Sequence, residues 1–197
     1  MCYTVLDLST HESRYLFKFG HKSYMNKCQQ LIDSLPPSSN FRNDASGTIT
    51  SYRINQSQTK NTERPALVFL HGFNGSSKSW ACQFAHFTNH TVIAIDAPGF
   101  GESQSVEGGM VAIADEVAAL IASLVTGKVV IIGHSMGGML AQVLGATHPD
   151  RCQAIILSCT HKGRAQPVGS PLGAAVQERI QQREVMDDAS YGALRVG

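Results

Sequence analysis

Four short, unbroken apolar runs punctuate the middle of the chain: residues 66–70 (ALVFL), 91–95 (TVIAI), 129–132 (VVII) and 154–157 (AIIL). Runs this short and this uniformly apolar predict strands covered on both faces, as in a parallel sheet. Helical patterns separate them. Residues 76–86 form a weak one around the single tryptophan, Trp80. Residues 110–125 form a strong one, with Val111, Val117, Leu120, Ile121 and Leu124 at helical spacing and Gly127 closing it. Residues 136–148 form a third. Ahead of them, residues 47–54 (GTITSYRI) alternate Ile49, Ser51 and Arg53 against Thr48, Thr50, Tyr52 and Ile54, which predicts an edge-type strand. The polar stretch 56–64 (QSQTKNTER) follows as a loop.

Both ends of the chain carry weaker patterns. Residues 1–45 mix short apolar pieces with LPPSSNFRNDAS, a run of turn formers expected to hold no regular structure. Met25 offers a second start, so the first two dozen residues are expected to take little part in the fold. After Thr160, HKGRAQPVGSPLG predicts a loop, and residues 174–194 a polar, charge-rich helix suited to a cap or lid. The expected organisation is therefore a poorly defined N-terminal extension (1–45), a core (46–160) and the start of a cap region (161–197). Strand–helix alternation with short connections defines the core as α/β, a mostly parallel sheet with helices on both faces.

Composition narrows the function classes. The 197 residues and 43% apolar content suit one domain with a sizeable core. A formal net charge of +1 without a long run of either sign gives no basis for a nucleic-acid or anionic-membrane partner. Cys2, Cys28, Cys82, Cys152 and Cys159 form no C-x-x-C pair and no metal-ligand spacing, which predicts free thiols in a cytoplasmic protein rather than a zinc site or disulfide framework. No apolar segment approaches the roughly 20 residues that span a bilayer, and residues 1–17 lack the basic start and apolar run of a signal peptide.

The chemistry concentrates in residues 128–138, KVVIIGHSMGG. A buried strand runs into Gly133-His134-Ser135-Met136-Gly137, and a helix follows at once. In this setting G-x-S-x-G has a physical meaning: a serine at the tip of so tight a turn leaves no room for side chains two residues before and after it. The hydroxyl of Ser135 is then presented at a helix start, whose free N–H groups favour developing negative charge. In such sheets reactive groups gather at the carboxyl ends of the strands. Residues 71–75 (HGFNG), 96–103 (DAPGFGES), 133–138 (GHSMGG) and 158–161 (SCTH) all fall at that end.

The order and strand context of LHGF, DAPGFGES and GHSMGG across residues 47–160 resemble the α/β-hydrolase fold family, and within it the small esterases and lactonases such as 3-oxoadipate enol-lactonase. The resemblance implies hydrolysis of a carboxylic ester, thioester or lactone through an acyl-enzyme on Ser135. It assigns the oxyanion hole to the backbone N–H groups of Phe73 and Met136, and assigns His71, Gly72 and His134 to the substrate site, His71 and Gly72 chiefly by shaping their loop. Asp96 is expected to brace its own loop. The resemblance implies a small acyl ester or lactone as substrate, no metal and no organic cofactor. Relatives that cleave epoxides or carbon–halogen bonds carry aspartate at the nucleophile position, so Ser135 points to acyl transfer.

In this family the acid and then the histidine follow the serine on later strands. Residues 136–197 hold one convincing strand, and two further strand–helix units would take about 60 residues. The resemblance therefore implies that the last strands of the sheet are missing and that the chain is the N-terminal part of a longer hydrolase, as its end at Gly197 without a closing strand also suggests. His148 is expected to cap a helix. His161 lies at the correct end of the sheet without chain to orient it, and Asp187 and Asp188 are expected as solvated charges. Two alternatives stand beside the hydrolase: a catalytically silent member that binds an acyl or lactone ligand, and an interaction protein that uses the cap helix as a surface.

Overall fold

The computed structural model describes residues 21–56, 64–162, 173–187 and 190. The chain divides into two compact units, residues 1–162 and 163–197. Six strands of the first unit form one sheet: β1 (Ser39–Arg42), β2 (Ile49–Asn55), β3 (Leu67–Leu70), β4 (Val92–Ile95), β5 (Val129–His134) and β6 (Cys152–Ser158), in the order β1-β2-β4-β3-β5-β6. Strand β2 runs antiparallel to both its neighbours, while β4, β3, β5 and β6 are parallel. The helices of this unit are α1 (His21–Asp33), α2 (Ala81–His86) with a 3-10 turn before it at Ser77–Trp80, α3 (Gly109–Leu124) and α4 (Met136–Thr147).

The four apolar runs are the four parallel strands, and helices on both faces explain why β3 and β4 are apolar throughout. Towards α3 and α4, Val68, Leu70, Ile93, Ile95, Val129 and Ile131 pack with Val117, Leu120, Ile121, Leu140 and Leu144. The opposite face sets Leu67, Phe69, Val92 and Ala94 against Trp80 and Phe84, with the Phe69 and Trp80 rings 4.9 Å apart. Each fully buried branched side chain contributes roughly 1.5–3 kcal/mol, so the α3–α4 side holds the larger share of the core. His148 ends α4 as expected: its N–H donates to the Leu144 carbonyl at 2.8 Å. Its Nε2 lies 2.8 Å from Asp115 Oδ1 on α3, and the open setting of both groups limits this pair to less than about 1 kcal/mol.

Three expectations change. The turn-forming stretch before Gly47 contains β1, which pairs with β2 through Ser39↔Tyr52 and Phe41↔Thr50, so β2 is not the edge. Local propensity misses such a strand because its hydrogen bonds are made to β2, and Phe41 gains burial against the core. The turn formers act just beyond it, where Asn43 N–H donates to the Thr48 carbonyl at 2.9 Å. Residues 1–20 of the expected extension (1–45) lie outside the described residues, and the rest of it holds α1 and β1.

The second change concerns β6, expected as a buried strand. It pairs with β5 at one end of the sheet, and Ile156 and Leu157 are 53% and 47% exposed. An apolar run reports that a strand can be covered, not that it is. The third concerns the C-terminal helix. In the second unit, α5 (Ala174–Val185) gives way to extended backbone at Met186, and Ser190 is helical again beyond this break. Of the loop expected over 161–173, residues 163–172 lie outside the described residues, as do 188, 189 and 191–197.

Candidate active site

Strand β5 ends at His134 and α4 begins at Met136, so Ser135 alone makes the turn. Its backbone adopts φ 52° and ψ −114°, and Ser135 and Cys159 are the non-glycine residues with positive φ among those described. Such a conformation costs a serine of order 1–3 kcal/mol and persists only where its surroundings impose it. They do so from several sides. Ser135 N–H donates to the Ser158 carbonyl at 2.9 Å, and the Ser135 carbonyl accepts Gly138 N–H at 3.0 Å, Met139 N–H at 3.2 Å and the Thr160 hydroxyl at 2.6 Å. The flanking glycines are required by contact. A Cβ on Gly133 would lie 2.3 Å from the Gly137 carbonyl oxygen, and one on Gly137 2.1 Å from the Leu70 oxygen.

The loop after β3 passes over this turn. A Cβ on Gly72 would lie 3.1 Å from His134 Cδ2 and 3.3 Å from Ser135 Cβ. His71 anchors the loop beneath: it is 1% exposed, its Nε2 accepts Ala97 N–H at 3.1 Å, and its Nδ1 lies 2.7 Å from the Gly72 carbonyl. Because Nε2 accepts, the proton sits on Nδ1 and donates to Gly72. Asp96, itself buried, grips the far end of the same loop by accepting Ser77 N–H at 2.5 Å on Oδ1. It also braces its own loop as expected, its carbonyl accepting the Ser103 hydroxyl at 2.6 Å. The Phe100 ring stands edge-on to His71 at 5.4 Å and to Phe73 at 5.6 Å, joining the two loops, and Phe73 is 68% exposed.

Burial pushes the His71 pKa down, with the Gly72 carbonyl and the Asp96 carboxylate pulling partly back. The ring is therefore neutral at pH 7, and protonating Nε2 would break the Ala97 bond. The unfolded chain takes up its proton near pH 6.5, before the folded one does. Stability from this group is present above that pH and declines as pH falls below it, by up to about 1.4 kcal/mol per pH unit. Denaturant midpoints at pH 7.5 and 5.5 are expected to differ by less in His71→Gln than in wild type. An equal difference in both would place the titration elsewhere.

The expected site residues thus gather at the carboxyl ends of β3 and β5. Ser135, Met136, His134, Gly72 and Phe73 meet there, and His71 reaches the site only through the loop that it holds. The His134 ring lies beside Gly72, and burial pushes its pKa down. Met136 is the first residue of α4, ahead of any intrahelical acceptor for its N–H. His148 ends the same helix, which at 1.5 Å per residue puts it about 20 Å from Ser135. The His161 carbonyl accepts Gln142 Nε2 at 3.1 Å, docking the loop after β6 along α4. In the second unit, exposed Asp187 accepts the Ser190 N–H and hydroxyl at 2.8 and 2.9 Å, while Asp188 lies outside the described residues. Ser77 is a contributor that the sequence pattern leaves unmarked. Ser158 and Thr160, marked only as part of SCTH at the carboxyl end of the sheet, gain their roles through contacts with Ser135. Among the described residues no group of three His, Cys, Asp or Glu side chains could hold a metal ion, and no helix is long and apolar enough to cross a membrane.

A mostly parallel sheet with a strained serine between a central strand and the helix behind it, under a glycine loop from the adjacent strand, defines a class of α/β fold. Residues 65–185 match the family described as alpha/beta hydrolase fold, more than half of the chain, and the protein belongs to that family. Among solved structures it is similar to a thermophilic esterase from Thermogutta terrifontis, at 28% identity and a TM-score of 0.58 over 75% of this chain and 52% of that one. It is also similar to Est816, an N-acyl homoserine lactone degrading enzyme, at 26% identity and a TM-score of 0.58 over 74% of this chain and 53% of that one. The epoxide hydrolase CorEH, at 24% identity and a TM-score of 0.58 over 74% of this chain and 50% of that one, shares the fold alone. The chain spans about half the length of these structures.

Proposed function

We propose that the protein is a serine hydrolase acting on a small carboxylic ester, thioester or lactone. Ser135 Oγ adds to the acyl carbon and displaces the alcohol or thiol, which leaves with the serine's proton as the acyl-enzyme forms. Water then releases the carboxylic acid and free Ser135, and the N–H groups of Phe73 and Met136 receive the oxyanion in both steps. The observation that carries this reading is the backbone of Ser135: a serine held at φ 52° between two glycines whose Cβ positions are filled by backbone. Strain of that kind clusters at functional sites, and here it presents a hydroxyl beside the start of α4. Similarity to an esterase and to a lactone-degrading enzyme supports the substrate class. On this reading Gly72, on the loop over Ser135, and His134, at the end of β5, are substrate walls, with His71 acting behind them. The chemistry asks for no metal or organic cofactor, and the free thiols of Cys152 and Cys159 suit a cytoplasmic enzyme.

A second reading is a silent member of the fold that binds an acyl or lactone ligand. It is favoured by the place of His148 and Asp115: this histidine–carboxylate pair sits at the far end of α4, too distant to activate Ser135. Serine at its free pKa is a poor nucleophile. The deciding experiment treats the protein, at the length its own cell makes, with a fluorophosphonate and locates the adduct by peptide mass spectrometry. An adduct on Ser135 is expected. No adduct, together with thermal stabilisation by an uncleaved acyl ligand, would replace the hydrolase by the binding protein.

A further inference from the structure

We infer that Thr160, on the loop after β6, positions the oxyanion donor of the proposed hydrolase by holding the peptide group between Ser135 and Met136. Two of the three donors to the Ser135 carbonyl, Gly138 N–H and Met139 N–H, belong to the start of α4 and would accompany any helix beginning there. The third and shortest, the Thr160 hydroxyl at 2.6 Å, comes from outside the strand–turn–helix unit. A peptide group is planar and trans, so its C=O and the following N–H point in opposite directions. Fixing the Ser135 carbonyl therefore aims the Met136 N–H, the proposed oxyanion donor, towards the opposite side. A hydrogen bond accepted by the carbonyl also polarises the same amide and makes its N–H a better donor.

The second glycine of GHSMGG, which G-x-S-x-G leaves unexplained, is where Thr160 sits. A Cβ on Gly138 would lie 2.6 Å from both Cβ and Cγ2 of Thr160 and 2.7 Å from Oγ1. Gln142 holds the other side of the threonine. Its Nε2 lies 3.1 Å from the Gly138 carbonyl and 3.1 Å from the His161 carbonyl, tying the residue after Thr160 to α4. Ser158, two residues earlier, accepts the Ser135 N–H at 2.9 Å. The loop thus grips the serine on both flanking peptides, and Thr160 supplies the side-chain half of that grip.

This inference rests on the hydrolase reading for its consequence and on backbone geometry for its substance, so two readouts are needed. The first is the rate of fluorophosphonate labelling at Ser135, and the second is the amide resonance of Met136. Losing an oxyanion donor outright costs roughly 10²–10³-fold in rate, and misaiming one is expected to cost at least about tenfold. Thr160→Val, which keeps the shape and removes the hydroxyl, is expected to slow labelling by at least that factor and to move the Met136 amide resonance, with the melting temperature nearly kept. Thr160→Ser, which keeps the hydroxyl, should restore both. Should Thr160→Val not fold, Thr160→Ala is read in its place. Wild-type labelling in the hydroxyl-free variant, or Thr160→Ser as slow as Thr160→Val, would overturn the inference. Failure of the wild type itself to label would remove the hydrolase reading instead. The Met136 resonance would then decide, and an unmoved resonance in Thr160→Val would overturn the positioning role.

Discussion

Gly137→Ala is expected to cost about 4 kcal/mol or more, a large share of the roughly 5–15 kcal/mol that keeps an ordinary domain folded. The added methyl would lie 2.1 Å from the Leu70 carbonyl oxygen, 2.5 Å from its carbon and 2.7 Å from the His71 oxygen. All three are backbone atoms at the end of a central strand, so no side chain can swing aside. Relief requires α4 to back away from β3 by about 1 Å or more, and overpacking that moves backbone exceeds the usual 1–3 kcal/mol of a tight core substitution. The retreat has its own cost, because Leu140, Ala141 and Leu144 of the same helix are at most 1% exposed and would lose their contacts. Gly127→Ala is the matched control: nothing lies within 4 Å of its would-be Cβ, and it is expected to be neutral or slightly stabilising. Urea unfolding of the two variants separates a steric effect from a general intolerance of alanine. A Gly137→Ala unfolding free energy within about 1 kcal/mol of wild type would mean that α4 does not approach β3 so closely.

The two glycines around Ser135 were readable through the five-residue pattern at a strand-to-helix change. Only the collision that Gly133 avoids is local, with Gly137 and Gly138, while Gly137 makes room for Leu70 and His71 of the adjacent strand and its loop. The four parallel strands were readable as well, since coverage on both faces leaves an unbroken apolar run. What escaped depends on contacts between segments distant in sequence. Strand β1 exists because β2 offers it a partner. The exposure of Ile156 and Leu157 depends on what lies beside β6, which its own residues do not encode. Thr160 looks like an ordinary loop threonine until the fold lays it on Gly138, and the doubled glycine looks like helix flexibility until Thr160 is there. Asp96 shows both sides. Its bracing of residues 96–103 follows from its place in DAPGFGES, whereas its grip on Ser77 joins loops after two different strands.

Ser135→Gly is expected to reduce covalent labelling to background and, at the same time, to stabilise the protein by about 1 kcal/mol. The first effect follows from loss of the attacking oxygen on the proposed mechanism; removing a nucleophile of this kind costs several orders of magnitude. The second follows from the backbone. At φ 52° and ψ −114° a serine stores of order 1–3 kcal/mol, which glycine does not incur. Part of that gain is offset because glycine makes the unfolded chain roughly 0.4–1 kcal/mol more favourable. Ser135→Ala separates the two causes: it loses labelling just as completely but keeps a Cβ at positive φ, so its stability should stay near wild type. The ordering Ser135→Gly above Ser135→Ala in urea midpoint is the decisive comparison. The reverse order would mean that the surroundings of Ser135 favour a side chain there, and that the turn holds no strain for a hydroxyl to be selected against. With the expected order, the serine is kept at the tip of β5 in spite of the fold's preference, which leaves chemistry as the reason for its presence.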